Sequence, residues 1–226
     1  FGKRNQIHVI DLRESVRGIV TAYKLIEKIT ANGLDALFVG TKRQARQVVM
    51  REALRCAMPY VSERWLGGTL TNFTTVLSSL RRLHELEGLE ASGEINALNK
   101  KEQAAARREL RKVQRNLGGL RTMTKLPGVL IVVDPNREAT AVHESVKLGI
   151  PTIALADTDC DPTEVDIIVP GNDDSIRTIE IFISRMADAC LSGKSRRVVL
   201  EAPKEDAGRQ TAVKYVGVSA PLDKRE

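Results

Sequence analysis

Aromatic residues make up only 4% of this 226-residue chain, which holds three cysteines and a single tryptophan. Each scarcity excludes something. Few Phe and Tyr side chains disfavour a module that reads single strands by stacking bases on an aromatic platform. Cys56, Cys160 and Cys190 are odd in number, far apart and free of any C-x-x-C pairing. That pattern argues against a disulfide framework and a structural zinc site, and it fits a reducing compartment, so a cytoplasmic location is expected. Apolar runs such as residues 126–133 are of strand length, well short of the roughly 18 residues that a membrane span needs. No secretory signal pattern opens the sequence, which begins at Phe1.

What is present is enough for a packed domain: 42% hydrophobic residues, 28% charged residues and 16 glycines. The net charge of +6 hides a strong asymmetry. Residues 1–79 carry +6, residues 80–125 carry +5, residues 126–192 carry −8 and residues 193–226 carry +3. A basic first half followed by an acidic block predicts one face suited to a polyanion. With so few aromatics, backbone and shape contacts are expected rather than base stacking.

A short apolar run at 7–10 leads to Asp11, which can cap a helix in a capping-box-like arrangement with Glu14. Val16, Ile19, Val20, Tyr23 and Ile26 keep helical spacing until Asn32-Gly33. Residues 36–39 read as a buried strand, and Gly40-Thr41 turns the chain into a second helix capped by Thr41 and Gln44. Runs at 129–133, 152–156 and 166–169 have the composition of strands buried on both faces, alternating with helices near 137–148 and 174–191. This rhythm predicts an α/β fold, a three-layer sandwich around a parallel sheet, built from residues 1–71 and 121–192. Residues 72–120 interrupt it. Val76, Leu80 and Leu83, then Leu110, Val113, Leu117 and Leu120 after a Gly-containing bend, predict an inserted antiparallel coiled-coil helical hairpin. An arm of about 18 residues would reach about 27 Å, so the hairpin is expected to project as a lever outside the core. Residues 193–226 lack periodicity and are expected to form a disordered tail.

Several clusters are candidates for chemistry. In LFVGTKRQ, Lys42, Arg43 and Arg46 fall at the expected start of a helix, where cations oppose the macrodipole; a bound phosphate would explain them, and so would plain surface solvation. The stretch matches neither nucleotide-binding glycine fingerprint. On the second hairpin arm Arg108, Arg111, Lys112 and Arg115 lie away from the apolar seam, with Arg107 at its flank, a stripe able to follow a nucleic-acid backbone. RWLGGTLTNF places Trp65 beside Gly67 and Gly68, where the indole suits a core position and Arg64 suits a partner. Gly118-Gly119 closes the hairpin as a turn. Asp157, Asp159, Asp161, Asp173 and Asp174 cluster by sequence after strands, where open α/β sheets bind ligands and where Mg²⁺ would suit carboxylates. A phosphohydrolase with Asp157 as nucleophile and Asp173 as metal ligand can be written down, but no lysine intervenes between them and caps or turns account for Asp161, Asp173 and Asp174. His8 reads as a packed strand residue, and His84 and His143 have no second ligand at metal spacing.

The stretches FGKRNQIHVIDL, LFVGTKRQ, RWLGGTLTNF, LGGLRTMTKLPGVLIVVD, LGIPTIALADT and VDIIVPGNDDSIRT, in this order, resemble the bacterial-type S-two family of small-subunit ribosomal proteins over residues 1 to about 192. The resemblance implies an α/β domain with a coiled-coil hairpin and no catalytic activity. It implies a structural constituent of the small subunit that binds ribosomal RNA and helps dock neighbouring proteins, including the large messenger-binding one, with no membrane partner. An organellar ribosome is the alternative to a cytoplasmic one. Lys3, Arg4, Lys42, Arg43 and Arg64 stand within the matched motifs and are the RNA contacts so implied; for the hairpin cations the resemblance supports position only. No cofactor is required, but the acidic cluster, here Asp157, Asp173 and Asp174, is implied as a possible site for a divalent metal, Mg²⁺ or Zn²⁺. From another class, the alternative function is a metal-dependent α/β phosphohydrolase using the same three residues.

Overall fold

The longest apolar runs lie side by side, because only a strand covered on both faces can carry uninterrupted hydrophobic residues. The computed structural model describes residues 2–5, 7–97 and 99–201. In chain order the elements are β1 (Gly2–Arg4), β2 (Ile7–Val9), α1 (Leu12–Ala31), β3 (Ala36–Val39), α2 (Arg46–Arg55), β4 (Tyr60–Val61), α3 (Phe73–Ala91), α4 (Lys100–Leu117), β5 (Val129–Val133), α5 (Ala139–Leu148), β6 (Thr152–Ala156), β7 (Ile167–Pro170) and α6 (Ile176–Glu201). Short 3₁₀ turns stand at Glu94–Ala97 and Gly118–Leu120.

Five strands form a parallel sheet in the order β4-β3-β5-β6-β7, while β1 and β2 make a separate antiparallel ribbon. Successive side chains point to opposite faces, so each strand feeds two cores. Ala36, Phe38, Val129, Ile131, Val133, Ile153 and Leu155 join Ala22 and Ile26 of α1, Val49 and Ala53 of α2, and Phe182 and Met186 of α6. The alternate residues Leu37, Val39, Leu130, Val132 and Ala154 join Ala141 and Val142 of α5 together with Trp65, Leu70 and the buried residues of α3 and α4. The result is the expected three-layer α/β sandwich. Strand order reverses between β3 and β5, so the carboxyl ends of those two strands flank the crevice where sheets of this kind place ligands.

The structure revises four local expectations. Helix α2 starts at Arg46 and not at Thr41, because the Thr41 N–H and hydroxyl donate to Glu138 across the sheet, at 2.9 and 2.5 Å, instead of capping a helix. The helices of the inserted segment are α3 and α4, and Val76, Leu80, Leu83, Leu86, Leu110 and Leu117 belong to the same buried cluster as the sheet's second face. The base of the segment thus joins the core of the sheet's second face, while along their length α3 and α4 pack chiefly on each other. His8 is exposed on the β1–β2 ribbon. Finally, residues 193–201 of the expected tail continue α6, and the rest of that segment lies outside the described residues. Gly193 makes the continuation possible: a Cβ there would overlap the Thr30 hydroxyl and lie 2.6 Å from the Glu27 carbonyl, so its absence lets α6 close against α1. Beyond it, Lys194 Nζ donates to the carbonyls of Cys56 and Ala57 at 2.7 and 3.0 Å, and Arg196 pairs with Glu27 at 3.1 Å.

Candidate nucleic-acid interface

RWLGGTLTNF is folded around one carboxylate. Glu144 reaches from α5 and accepts the Trp65 indole N–H (3.0 Å) and the Gly68 N–H (2.8 Å) on Oε1. On Oε2 it takes the Leu70 N–H (2.9 Å), the Thr71 N–H (3.1 Å) and the Thr71 hydroxyl (3.2 Å). Burial works against its charge, but the bonds from Trp65, Thr71, Leu70 and Gly68 prevail and hold the carboxyl below its ordinary range. Gly68 has φ +89, which lets the loop curl back onto that carboxylate. Trp65 is buried as expected, leaving Arg64 exposed at the loop's start.

The acidic residues that read as a metal set hold a lysine instead. Lys42 Nζ lies 2.6 Å from Asp174, 2.8 Å from Asp173 and 3.5 Å from Asp134, with its side chain only 16% exposed. Burial again opposes the charge, yet the bonds to Asp173 and Asp174 and the field of Asp134 prevail and raise the lysine's pKa above its ordinary value. Asp173 is pushed upward, first by its own burial and then by Asp134 and Asp157, against the pull of Lys42. The donor set does not fit a divalent ion, because an ammonium already stands among these carboxylates. Among the described residues no group of three or more His, Cys, Asp or Glu is arranged to hold a metal. Asp157 accepts the Thr158 N–H at 2.6 Å and Asp161 the Thr163 N–H at 3.0 Å, as turn residues do. Lys42 is correspondingly unavailable to a nucleic acid.

The remaining cations divide into paired and open ones. Arg46 donates to the Thr41 carbonyl at 3.0 Å and pairs with Glu63 at 3.2 Å, so it is partly spent within the fold. Arg107 donates to Asn96 (2.9 Å), and Arg108 to the Ala104 carbonyl (3.0 Å). Lys3, Arg4, Arg43, Arg64, Arg111, Lys112 and Arg115 are exposed, and none has a carboxylate partner among the described residues. On α4, Arg108, Arg111, Lys112 and Arg115 run along about 10 Å of one face at 1.5 Å per residue, with Leu110 and Leu117 buried behind them. Lys101 falls on the same face seven residues before Arg108, a position that helical spacing alone could have supplied.

The acidic block meanwhile directs much of its charge inward or onto arginines of the same chain. Besides Glu144 and the Lys42 ligands, Asp166 accepts the Thr152 N–H (2.8 Å), Glu180 pairs with Arg51 (2.6 Å) and Asp188 with Arg55 (2.8 Å). The −8 of residues 126–192 therefore serves largely to fold the chain, and among the described residues Arg108, Arg111, Lys112 and Arg115 have no carboxylate partner.

Comparison with known proteins gives the family. The family model described as ribosomal protein S2 matches residues 1–193. A small ribosomal subunit protein uS2 from Rhodopirellula baltica is 52% identical over 212 residues, covering 94% of this chain and 82% of that protein. Proteins of the same description from Roseiflexus sp. and Geotalea uraniireducens are 46% and 47% identical, each over 92% of this chain and 79% and 81% of their own lengths. On the family match and these identities together, the chain belongs to the ribosomal protein S2 family.

Proposed function

We propose that this chain is a structural constituent of the small ribosomal subunit, held on ribosomal RNA by the open cations of α4 together with Lys3, Arg4, Arg43 and Arg64. The observation that supports it is the α4 face itself: four exposed cations with no carboxylate partner among the described residues, Arg108 bonding only a carbonyl of its own helix, backed by a buried seam, in a chain whose relatives are small-subunit proteins. Phosphate contacts of this sort position a protein on RNA without reading bases, which agrees with the shortage of aromatics. Docking of neighbouring ribosomal proteins, the large messenger-binding one among them, and residence in cytoplasmic ribosomes belong to the same reading. No membrane partner is proposed, and no helix among the described residues is long and apolar enough to cross a membrane. A phosphohydrolase has little to work with here, since Asp173 and Asp174 are engaged by Lys42 and Asp157 is engaged by its own turn.

The test is reconstitution. Wild-type protein should sediment with small subunits, whereas charge reversal at Arg108, Arg111 and Arg115 should lower incorporation without changing helix content, because long-range attraction to phosphate becomes repulsion. Full incorporation of the reversed variant would show the stripe to be merely solvated. Metal-dependent phosphate release by purified protein, lost in Asp157→Asn, would favour the enzyme instead.

A further inference from the structure

At the reversal point of the sheet, between the carboxyl ends of β3 and β5, lies a cavity of about 430 Å³ lined by Thr41, Glu63, Arg64, Trp65, Arg137 and Thr140, and by Glu138 as well. Arg64 and Arg137 are both exposed and neither is paired with a carboxylate among the described residues. Arg137 is oriented: its Nε donates to the Thr41 hydroxyl at 3.1 Å and its backbone N–H to Asp134 at 3.1 Å. Arg64 is brought to the cavity by the loop folded on Glu144, immediately before Trp65. The lining also holds two glutamates, each with a partner in the fold. Glu63 pairs with Arg46 at 3.2 Å, and Glu138, buried, accepts the N–H and hydroxyl of Thr41 on a single oxygen. The first turn of α5 opens on the same space through Thr140, adding a hydroxyl and the positive end of a helix.

We propose that this cavity is a phosphate-binding site in which Arg64 and Arg137 clamp one phosphate group, with Thr140 as a further donor. Guanidinium groups are the side chains best matched to phosphate oxygens, and the crevice at a reversal of strand order is where doubly wound sheets place anionic ligands. Arg137 stands in the acidic block, so charge bookkeeping along the sequence hides it. The phosphate can come from two sources, a phosphodiester of ribosomal RNA or a free phosphate-bearing metabolite. The first rests on the RNA-binding reading above; the site as such does not.

Two measurements on the full chain separate these sources. Binding of small-subunit ribosomal RNA is followed against salt for wild type, Arg137→Gln and Arg64→Gln, and inorganic phosphate and adenosine monophosphate are titrated into the free proteins by calorimetry. Arg64→Gln removes an exposed side chain with no bond to another side chain among the described residues, so it remains informative should Arg137→Gln loosen the Thr41 contact. For an RNA phosphodiester, each variant flattens the log-affinity against log-salt slope by about 0.7 to 0.9. For a free ligand, the slope is unchanged, and phosphate or nucleotide binding seen in wild type falls at least tenfold in both variants. Either result supports the clamp. Unchanged salt slopes together with no phosphate or nucleotide binding beyond that of both variants would overturn it. Reversal of the α4 cations, run in parallel, reports on RNA binding independently: a flattened slope there with none at Arg64 or Arg137 removes the clamp and leaves the RNA reading standing.

Discussion

Glu144→Gln tests whether one buried carboxylate organises the 65–71 loop. Its oxygens serve two sets of donors, the Trp65 indole and Gly68 N–H on one side, the Leu70 N–H with the Thr71 N–H and hydroxyl on the other. A carboxamide keeps the shape but turns one end into a donor, so one set must face N–H against N–H whichever way the amide is flipped. Gly68 and Thr71 are part-buried and can recover a bond from water, whereas the Trp65 indole and the Leu70 N–H are buried and cannot. Each orientation therefore strands one buried donor, at about 1–3 kcal/mol, and also loses bonds to a full charge. We expect Glu144→Gln to destabilise by about 2–3 kcal/mol and Glu144→Ala, which strands both buried donors, by about 2–6 kcal/mol. At roughly 2–4 °C per kcal/mol for a chain of this length, the Gln variant should melt about 4–12 °C lower. Urea titration followed by far-ultraviolet circular dichroism gives the global value, and fluorescence of Trp65, the sole tryptophan, reports the loop directly. The pH dependence has a definite sign. Because the folded carboxyl is held below its ordinary value, its stabilisation is complete above the unfolded pKa of about 4.3 and is lost as pH falls through the lower folded value. The gap between wild type and Glu144→Gln should therefore narrow on acidification. Variants within about 0.5 kcal/mol of wild type, with unaltered Trp65 emission, would refute the idea that this carboxylate holds the loop.

Lys42→Met removes the ammonium from among Asp134, Asp173 and Asp174 and should cost about 3 kcal/mol, the low end for a broken buried ion pair because Asp174 is 67% exposed. The deficit should shrink as pH falls and the carboxylates protonate, and the salt slope of RNA binding should stay at the wild-type value; a flattened slope would mean that Lys42 reaches RNA after all. Leu110→Ala with Leu117→Ala should cost about 2–5 kcal/mol per site, and since both belong to the cluster on the sheet's second face, hydrogen exchange should accelerate in β5 as well as in α4. Acceleration confined to α3 and α4 would show that the hairpin behaves as an independent lever. Gly193→Ala should destabilise by about 1–3 kcal/mol through overpacking against Thr30 and Glu27, although alanine is the better helix former; a stabilised variant would show that α6 does not close on α1 there.

Strands buried on both faces declare themselves in sequence, which is why 36–39, 129–133 and 152–156 were legible without any structure. Edge strand β4 was not, since two residues after a proline carry no periodicity. The misplaced start of α2 has a tertiary cause: Thr41 has the composition of a cap, and only the arrival of Glu138, 97 residues later, diverts it. Lys42 misled for the same reason, its partners being as far as 131 residues away. The continuation of α6 past residue 192 was not legible either, because Gly193 permits a close approach that only the neighbouring helix reveals. The α4 stripe was legible because both its faces are set by local spacing, which long-range contacts leave intact.

The same long-range closures have a consequence for synthesis. The groups that neutralise Lys42, cap Thr41 and hold the Trp65 loop all lie in the acidic block and are made after the whole basic half. At about 5–20 residues per second, the 131 residues between Lys42 and Asp173 take roughly 7–26 s to translate. Until then the emerged first half, a net +11 over residues 1–125, lacks the counter-charges that the acidic block supplies, beside a ribosome coated in phosphate. β3 meanwhile lacks β5, so the central pairing of the sheet cannot form. On the RNA-binding reading proposed above, any early hold on RNA is by charge alone, and arrival of the acidic block both completes the sheet and withdraws Lys42 from competition, leaving the open arginines to set the register. Order of synthesis thus separates an indiscriminate electrostatic phase from a shape-determined one.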